Sequence, residues 1–285
     1  MNTFKTFGLM FFLTLLLVWA GGAFGGRVGA IFALVIAGAM NFFAYWFSDK
    51  VILKIYRGKE VSETEEPELV GAVRELSQRV HLPMPKVYIL PMETPNAFAT
   101  GRDPQHAAIA ASQGILKLLD RDELMGVLGH ELAHIRNRDI LISTIVATLA
   151  GALMLISRIA GWSAMFGGFG GRGRRGGGNI IVLLILIIVV PIAAILIQMA
   201  ISRSREYAAD AGGSMISGRP LGLAGALEKL EKGVARRPLN ASPATAHLFI
   251  VNPLRGGRMV GLFTTHPPTK ERVARLQKIA REMGQ

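Results

Sequence analysis

The sequence predicts a mainly α integral membrane protein, in which two transmembrane hairpins alternate with the two parts of an α+β domain holding a small sheet. Three observations carry this. Hydrophobic residues make up 51% of the 285 residues and charged ones only 18%, where a soluble domain carries roughly a quarter charged. The deficit is concentrated in four apolar blocks, and the mean hydropathy is +0.38. Outside those blocks, short β-branched and small-residue runs lie among segments of helical period.

Residues 1–48 form the first hairpin. Its blocks, Phe7–Phe24 and Val28–Phe47, carry no charge and are each about long enough to cross ~30 Å of hydrocarbon. Tyr45 and Trp46 close the second block, where aromatic rings favour the interface. The first block also has signal-peptide character, with Lys5 before a Leu-rich run and small residues at Ala20–Ala23. Lys50, Lys54, Arg57 and Lys59 follow the hairpin, which places that side in the cytoplasm by the positive-inside rule.

Residues 49–139 read as the first part of the soluble domain, with 12 basic and 14 acidic residues. Lys86–Leu90 and Ala107–Ala111 read as strands. Asp120 and Glu123 have the spacing of a capping box at the head of a helix. Residues 140–201 form the second hydrophobic hairpin, from blocks Ile140–Ser157 and Ile180–Ile201. Its loop, 161–178, holds nine glycines with Arg172, Arg174 and Arg175. If both blocks span, this basic loop lies outside, against the charge rule. Residues 202–285 complete the domain, with 14 basic and 6 acidic residues.

The net charge of +12 therefore sits mostly in the tail. Its arginines are scattered without aromatic interleaving, so the lipid bilayer is the expected partner and nucleic acid is not. Nothing in the pattern specifies an oligomer. The chain has no cysteine, so a zinc site would have to use histidine and carboxylate ligands.

The helix opened by Asp120 contains His130-Glu131-Leu132-Ala133-His134. Histidines at i and i+4 share one helix face, and two imidazoles so placed reach one zinc ion. Glu131 points to a neighbouring face, where a carboxylate can take a proton from a water that the metal activates. A catalytic zinc needs a third protein ligand. Glu206 and Asp210 stand one helical turn apart after the fourth block. One can bind the metal while the other accepts the free ring N–H of a ligand histidine. Two membrane crossings separate His134 from Glu206, which returns both to one compartment.

The runs Gly129–Ile135 with Asn137-Arg138-Asp139, and Ser204-Arg205-Glu206-Tyr207 with Ala209-Asp210, closely resemble the HtpX-type membrane zinc metalloproteases. These are relatives of the type I CAAX prenyl endopeptidases and the mitochondrial Oma-type proteases. The resemblance covers essentially the whole chain and implies a zincin-like catalytic domain. It implies one Zn2+ per chain held by His130, His134 and Glu206, Glu131 as general base, and Asp210 behind a ligand histidine. It further implies an enzyme of the bacterial cytoplasmic (inner) membrane whose active site faces the cytoplasm. There it would cleave polypeptides, damaged or misassembled membrane proteins, during envelope stress.

Within the resemblance, Asn96-Ala97-Phe98-Ala99-Thr100 matches the family's edge strand, whose exposed backbone can bind an extended peptide by strand addition. Thr265-His266-Pro267-Pro268 matches a His-Pro segment before the last helix. His266, Arg272 and Tyr207 are expected as hydrogen-bond donors to the developing oxyanion or the substrate. The rival reading is a non-catalytic zinc-binding membrane transporter or sensor, which would have no need of Glu131.

Overall fold

The computed structural model describes residues 2–145, 203–236, 248–251 and 267–285. The remainder of the third apolar block, the fourth block, the Gly/Arg-rich loop 161–178 and His266 lie outside the described residues. Of the expected second hairpin, 140–201, only residues 140–145 are described.

The N-terminal element α1, Asn2–Ile55, is two helical arms that meet at Gly26, whose φ of 56° and ψ of −145° are non-helical. Glycine takes such values without a Cβ clash. The arms fold back on each other. Asn41 Nδ2 donates to Thr14 Oγ1 at 2.9 Å, and the Gly21 and Gly29 backbones touch where a Cβ on Gly21 would lie 2.5 Å from the Gly29 carbonyl oxygen. Phe11, Phe12, Trp19, Phe32 and Phe43 are exposed on the outside, the inverse of a soluble helix pair. Gly25–Phe47 is long and apolar enough to cross a membrane, whereas the other arm's apolar stretch, Met10–Ala23, is shorter.

The chain then enters a four-stranded mixed sheet of β1 (Lys59–Glu60), β2 (Lys86–Leu90), β3 (Ala97–Gly101) and β4 (Ala107–Ser112), in the order β1-β2-β4-β3. β2 and β4 run parallel, with Val87 opposite Ile109. β3 and β4 run antiparallel, with Phe98 opposite Ala110. β3 is thus a sheet edge, but all five of its residues are buried. A helix and the 248–251 segment lie alongside it.

Around the sheet stand α2 (Pro67–Arg79), α3 (Gln113–Leu118), α4 (Arg121–Arg136), α7 (Pro220–Arg236) and α8 (Thr269–Glu282). The described residues 139–145 and 203–217 are also helical and are called α5 and α6. α4 is the centre of the fold, buried continuously from Glu123 to Ala133. Its Leu128, Leu132 and Ile135 join Leu76 of α2, Leu227 of α7 and Leu276 of α8 in one core. Because partners press on α4 from several sides, it lacks the single apolar stripe that its amphipathic neighbours show.

A second cluster joins Ile52 and Leu53, at the end of α1, to Phe98 and Leu248. Tyr56 packs edge-on against Phe249, centroids 6.1 Å apart, and lies 5.9 Å from Phe98. The membrane-proximal end of α1 therefore packs directly against the sheet edge.

Candidate metal centre

Helix α4 begins as its sequence dictates. Glu123 N–H donates to Asp120 Oδ1 and Asp120 N–H to Glu123 Oε2, both at 3.0 Å. From this start, His130 and His134 come out one turn apart, their Nε2 atoms 3.2 Å from each other. Glu206 of α6 completes a triangle, with Oε2 3.6 Å from His130 Nε2 and Oε1 3.6 Å from His134 Nε2. Among the described residues these three form the group that could hold a metal ion.

The donors fit a metal. Ligands at 2.0–2.1 Å in a tetrahedral zinc shell stand about 3.3 Å from one another, close to the observed separations. Two imidazole nitrogens and a carboxylate oxygen, nearly out of solvent, are a donor set that could hold a borderline-soft cation.

A carboxylate stands behind each histidine. His130 Nδ1 lies 3.0 Å from Asp210 Oδ1, a charge contact rather than a well-aligned hydrogen bond. His134 Nδ1 lies 3.3 Å from Asp139 Oδ2. Asp139 reaches that place because α4 ends at Asn137 and Arg138 takes a left-handed φ of 58°, which turns the chain back beneath His134. Asp210 arrives because α4 and α6 touch backbone to backbone. A Cβ on Gly213 would sit 2.6 Å from His130 N and 2.7 Å from its Cα.

The electrostatics follow from burial and pairing. Burial pulls the His130 imidazole down, but its pairing with the Asp210 and Glu206 carboxylates outweighs that and raises it to about 9. Burial pushes Asp210 up, and the charge and hydrogen bond of Arg272, then His130, bring it down to about 2. Glu131 is raised above its ordinary value, chiefly by burial, with the neighbouring histidines acting in the opposite direction. Its Oε2 accepts the Ala99 N–H of the edge strand at 2.7 Å.

Beside the triangle is a cavity of about 40 Å³ lined by Glu131, Phe98, Ala99, Ile140 and Phe249 as well as the three donors. It has room for about two or three water molecules.

Of the other residues singled out in the sequence, Phe98 lines this cavity and Ala97 is a buried strand residue paired with Ala111. Asn96 does not line the cavity. Its Nδ2 donates to Leu248 O at 3.4 Å and its Oδ1 accepts from Ile250 N–H at 3.2 Å, so it holds the 248–250 segment against the sheet. Arg272 is likewise reassigned, because its guanidinium is engaged by Asp210 and the Ile250 carbonyl. Tyr207 faces α8, where the Arg275 guanidinium stands 3.7 Å over its ring and Glu271 bonds its phenol. Neither Arg272 nor Tyr207 lines the cavity.

Three contributors have little or no sequence signal. Asp139 is a helix-stop residue by appearance. Ala99 acts through its backbone. Leu248-Phe249-Ile250 is an apolar triplet whose place in the cavity wall follows from Asn96.

The sequence profile of peptidase family M48 matches residues 63–280. The chain belongs to peptidase family M48. Among its relatives, a "Protease HtpX homolog" of Syntrophotalea carbinolica is 59% identical over 280 residues, covering 98% of this chain and 99% of the relative. Another of the same name, from Thermococcus sibiricus, is 54% identical and covers 98% and 97%. The crystal structure of S. mikatae Ste24p has a similar fold, with a TM-score of 0.54 at 19% identity. That alignment covers 94% of this chain and 62% of the Ste24p chain. The M48 chain is a membrane-bound metalloprotease, which answers the rival reading of a transporter or sensor. Family membership implies a metal, and His130, His134 and Glu206 are the group that could bind it.

Proposed function

We propose that this M48 chain is a zinc-dependent endopeptidase with one Zn2+ held by His130, His134 and Glu206. The observation that carries the reading is the donor triangle of 3.2, 3.6 and 3.6 Å with the Glu131 carboxylate beside it in the same small cavity. Zinc bound there supplies a Lewis acid that polarises the scissile carbonyl and makes water acidic enough to attack. Glu131, anchored through Oε2 by Ala99 N–H, keeps Oε1 to accept the water proton and deliver it to the departing amine. Its burial favours this role, since a raised carboxylate is a stronger base. Asp210 and Asp139 hold the ligand imidazoles in orientation from behind.

The catalytic domain is assembled from residues 49–139 and 202–285. The segments 1–48 and 140–201 are the two membrane hairpins. The enzyme works at the bacterial cytoplasmic (inner) membrane with its site toward the cytoplasm, supported by the basic residues that follow Gly25–Phe47. Its substrates are damaged or misfolded membrane proteins, as the resemblance to the HtpX-type proteases implies, and its role is quality control under stress. The contact of α1 with the sheet edge through Tyr56 and Phe98 supports a cleft close to the membrane surface.

The test is Glu131→Gln in detergent-solubilised, zinc-loaded protein. The wild type should cleave casein or itself, while the variant should bind zinc and leave both intact. Full activity in the variant overturns the mechanism. A labelling reporter within 161–178 tests the topology: cytoplasmic labelling excludes a fully spanning second hairpin.

A further inference from the structure

The last helix carries a buried cation aimed at the metal centre from behind. Arg272, in the first turn of α8, is 1% exposed. Its Nε donates to Asp210 Oδ2 at 2.8 Å and its Nη2 to Asp210 Oδ1 at 2.6 Å, a two-pronged grip on one carboxylate. Nη1 donates to the Ile250 carbonyl at 3.1 Å and lies 3.7 Å from Glu206 Oε2. A single guanidinium thus spans both carboxylates of α6, one turn apart, and the cavity wall that contains Phe249 and Ile250. Asp210 Oδ1 in turn stands 3.0 Å from His130 Nδ1.

We infer that Arg272 is a positioning residue for the metal centre, setting Asp210 against His130, so that α8 is required for metal retention. The inference rests on the reading of His130, His134 and Glu206 as the metal-holding group.

The chemistry requires an arginine. Asp210 is 1% exposed, and a buried carboxylate stays charged only against a partner with matched geometry. The planar fork binds both of its oxygens at once and fixes the carboxylate plane, which a lysine ammonium cannot do. A fixed plane determines where Oδ1 meets the His130 ring, and ring orientation decides whether Nε2 points at the metal. The arrangement differs at the other histidine, where Asp139 follows within five residues of His134. Only the His130 side depends on a helix 62 residues beyond its carboxylate.

The test uses the full-length chain in detergent and measures zinc affinity by competition with a chromophoric chelator. The visible spectrum of the cobalt-substituted protein reports ligand geometry. Arg272→Lys and Arg272→Met should each weaken zinc about tenfold or more and change the cobalt spectrum. The double variant Asp210→Asn/Arg272→Met should bind zinc within about twofold of Asp210→Asn alone, because the two act as one unit. If the Arg272 variants melt at lower temperature but keep wild-type zinc affinity and spectrum, the residue is only structural and the inference is overturned. Additive losses in the double variant overturn it too. Should Arg272→Met not accumulate as folded protein, Arg272→Lys decides alone, wild-type affinity counting against. Failure of the wild type itself to bind zinc overturns the metal reading, an outcome distinct from the others.

Discussion

The backbone N–H of Ala99, on the sheet edge, donates to Glu131 Oε2 at 2.7 Å, across 32 residues of sequence. One hydrogen bond therefore couples the sheet edge to the carboxylate that stands beside the donor triangle. A hydrogen bond to a charged group contributes about 1.5–3 kcal/mol. Ala99→Pro, which removes the donor on an edge strand where proline is tolerated, should lower kcat about ten- to a hundredfold. KM and zinc content should stay near wild type, and Ala99→Gly, which keeps the N–H, should retain most activity. Steady-state kinetics on a fluorogenic peptide with metal analysis checks this.

Asp139 stands behind His134 as Asp210 stands behind His130. Removing a carboxylate that orients a ligand histidine typically costs 10–100-fold in metal affinity. Asp139→Ala is expected to weaken zinc by about that factor, read by chelator competition. An unchanged affinity would show that His134 is oriented by its helix alone.

Close approach of α4 and α6 depends on Gly213. A methyl group there would sit 2.6 Å from His130 N, and the neighbour is backbone that cannot rotate away. Gly213→Ala should destabilise the domain by about 1–3 kcal/mol and weaken zinc, because Glu206 and Asp210 ride on the displaced helix. Thermal melts with and without zinc will show both effects.

Asn96 joins the sheet to the cavity wall by hydrogen bonds to Leu248 and Ile250. Asn96→Ala leaves a buried carbonyl and N–H unmatched and should cost about 1–3 kcal/mol. Chemical denaturation measures it, and an unaltered midpoint would mean that the wall is held by packing and Arg272.

In the metal-free protein His130 is raised to about 9, above its ordinary value of 6.5. Its imidazolium therefore contributes stability fully below pH 6.5, and that contribution is lost as pH rises through 9. Asp210, lowered to about 2, contributes above its ordinary 3.8 and loses the contribution as pH falls through 2. Zinc must displace the His130 proton, so apparent affinity should rise roughly tenfold per pH unit up to about 9. Isothermal titration across pH 6–9 in two buffers counts the proton released. Binding independent of pH would show that His130 is neutral before metal arrives.

Much of the site was legible because its spacings are local. His130 and His134 at i and i+4, Glu206 and Asp210 at i and i+4, and the Asp120–Glu123 cap are all properties of one helix turn. β2 and β4 were legible from their small and β-branched runs. The partners of Arg272, Asn96 and Tyr207 were not legible, because a polar residue near a catalytic motif looks alike in sequence whether it faces substrate or props another side chain. Their partners, Asp210, Leu248 and Glu271, lie 62, 152 and 64 residues away.

By itself, then, the sequence determined that His130 and His134, and Glu206 and Asp210, share a helix face in pairs, because helix geometry places residues four apart on one face without help from the rest of the chain. The apolar composition of Gly25–Phe47 likewise sets how far that helix can reach. Tertiary structure alone decided that Asp210 backs His130, that Ala99 anchors Glu131, and that Arg272 grips Asp210 from the last helix. Those pairings depend on how closely α4, α6, α8 and the sheet edge approach. That approach is decided by packing, at glycines and buried contacts distant in sequence.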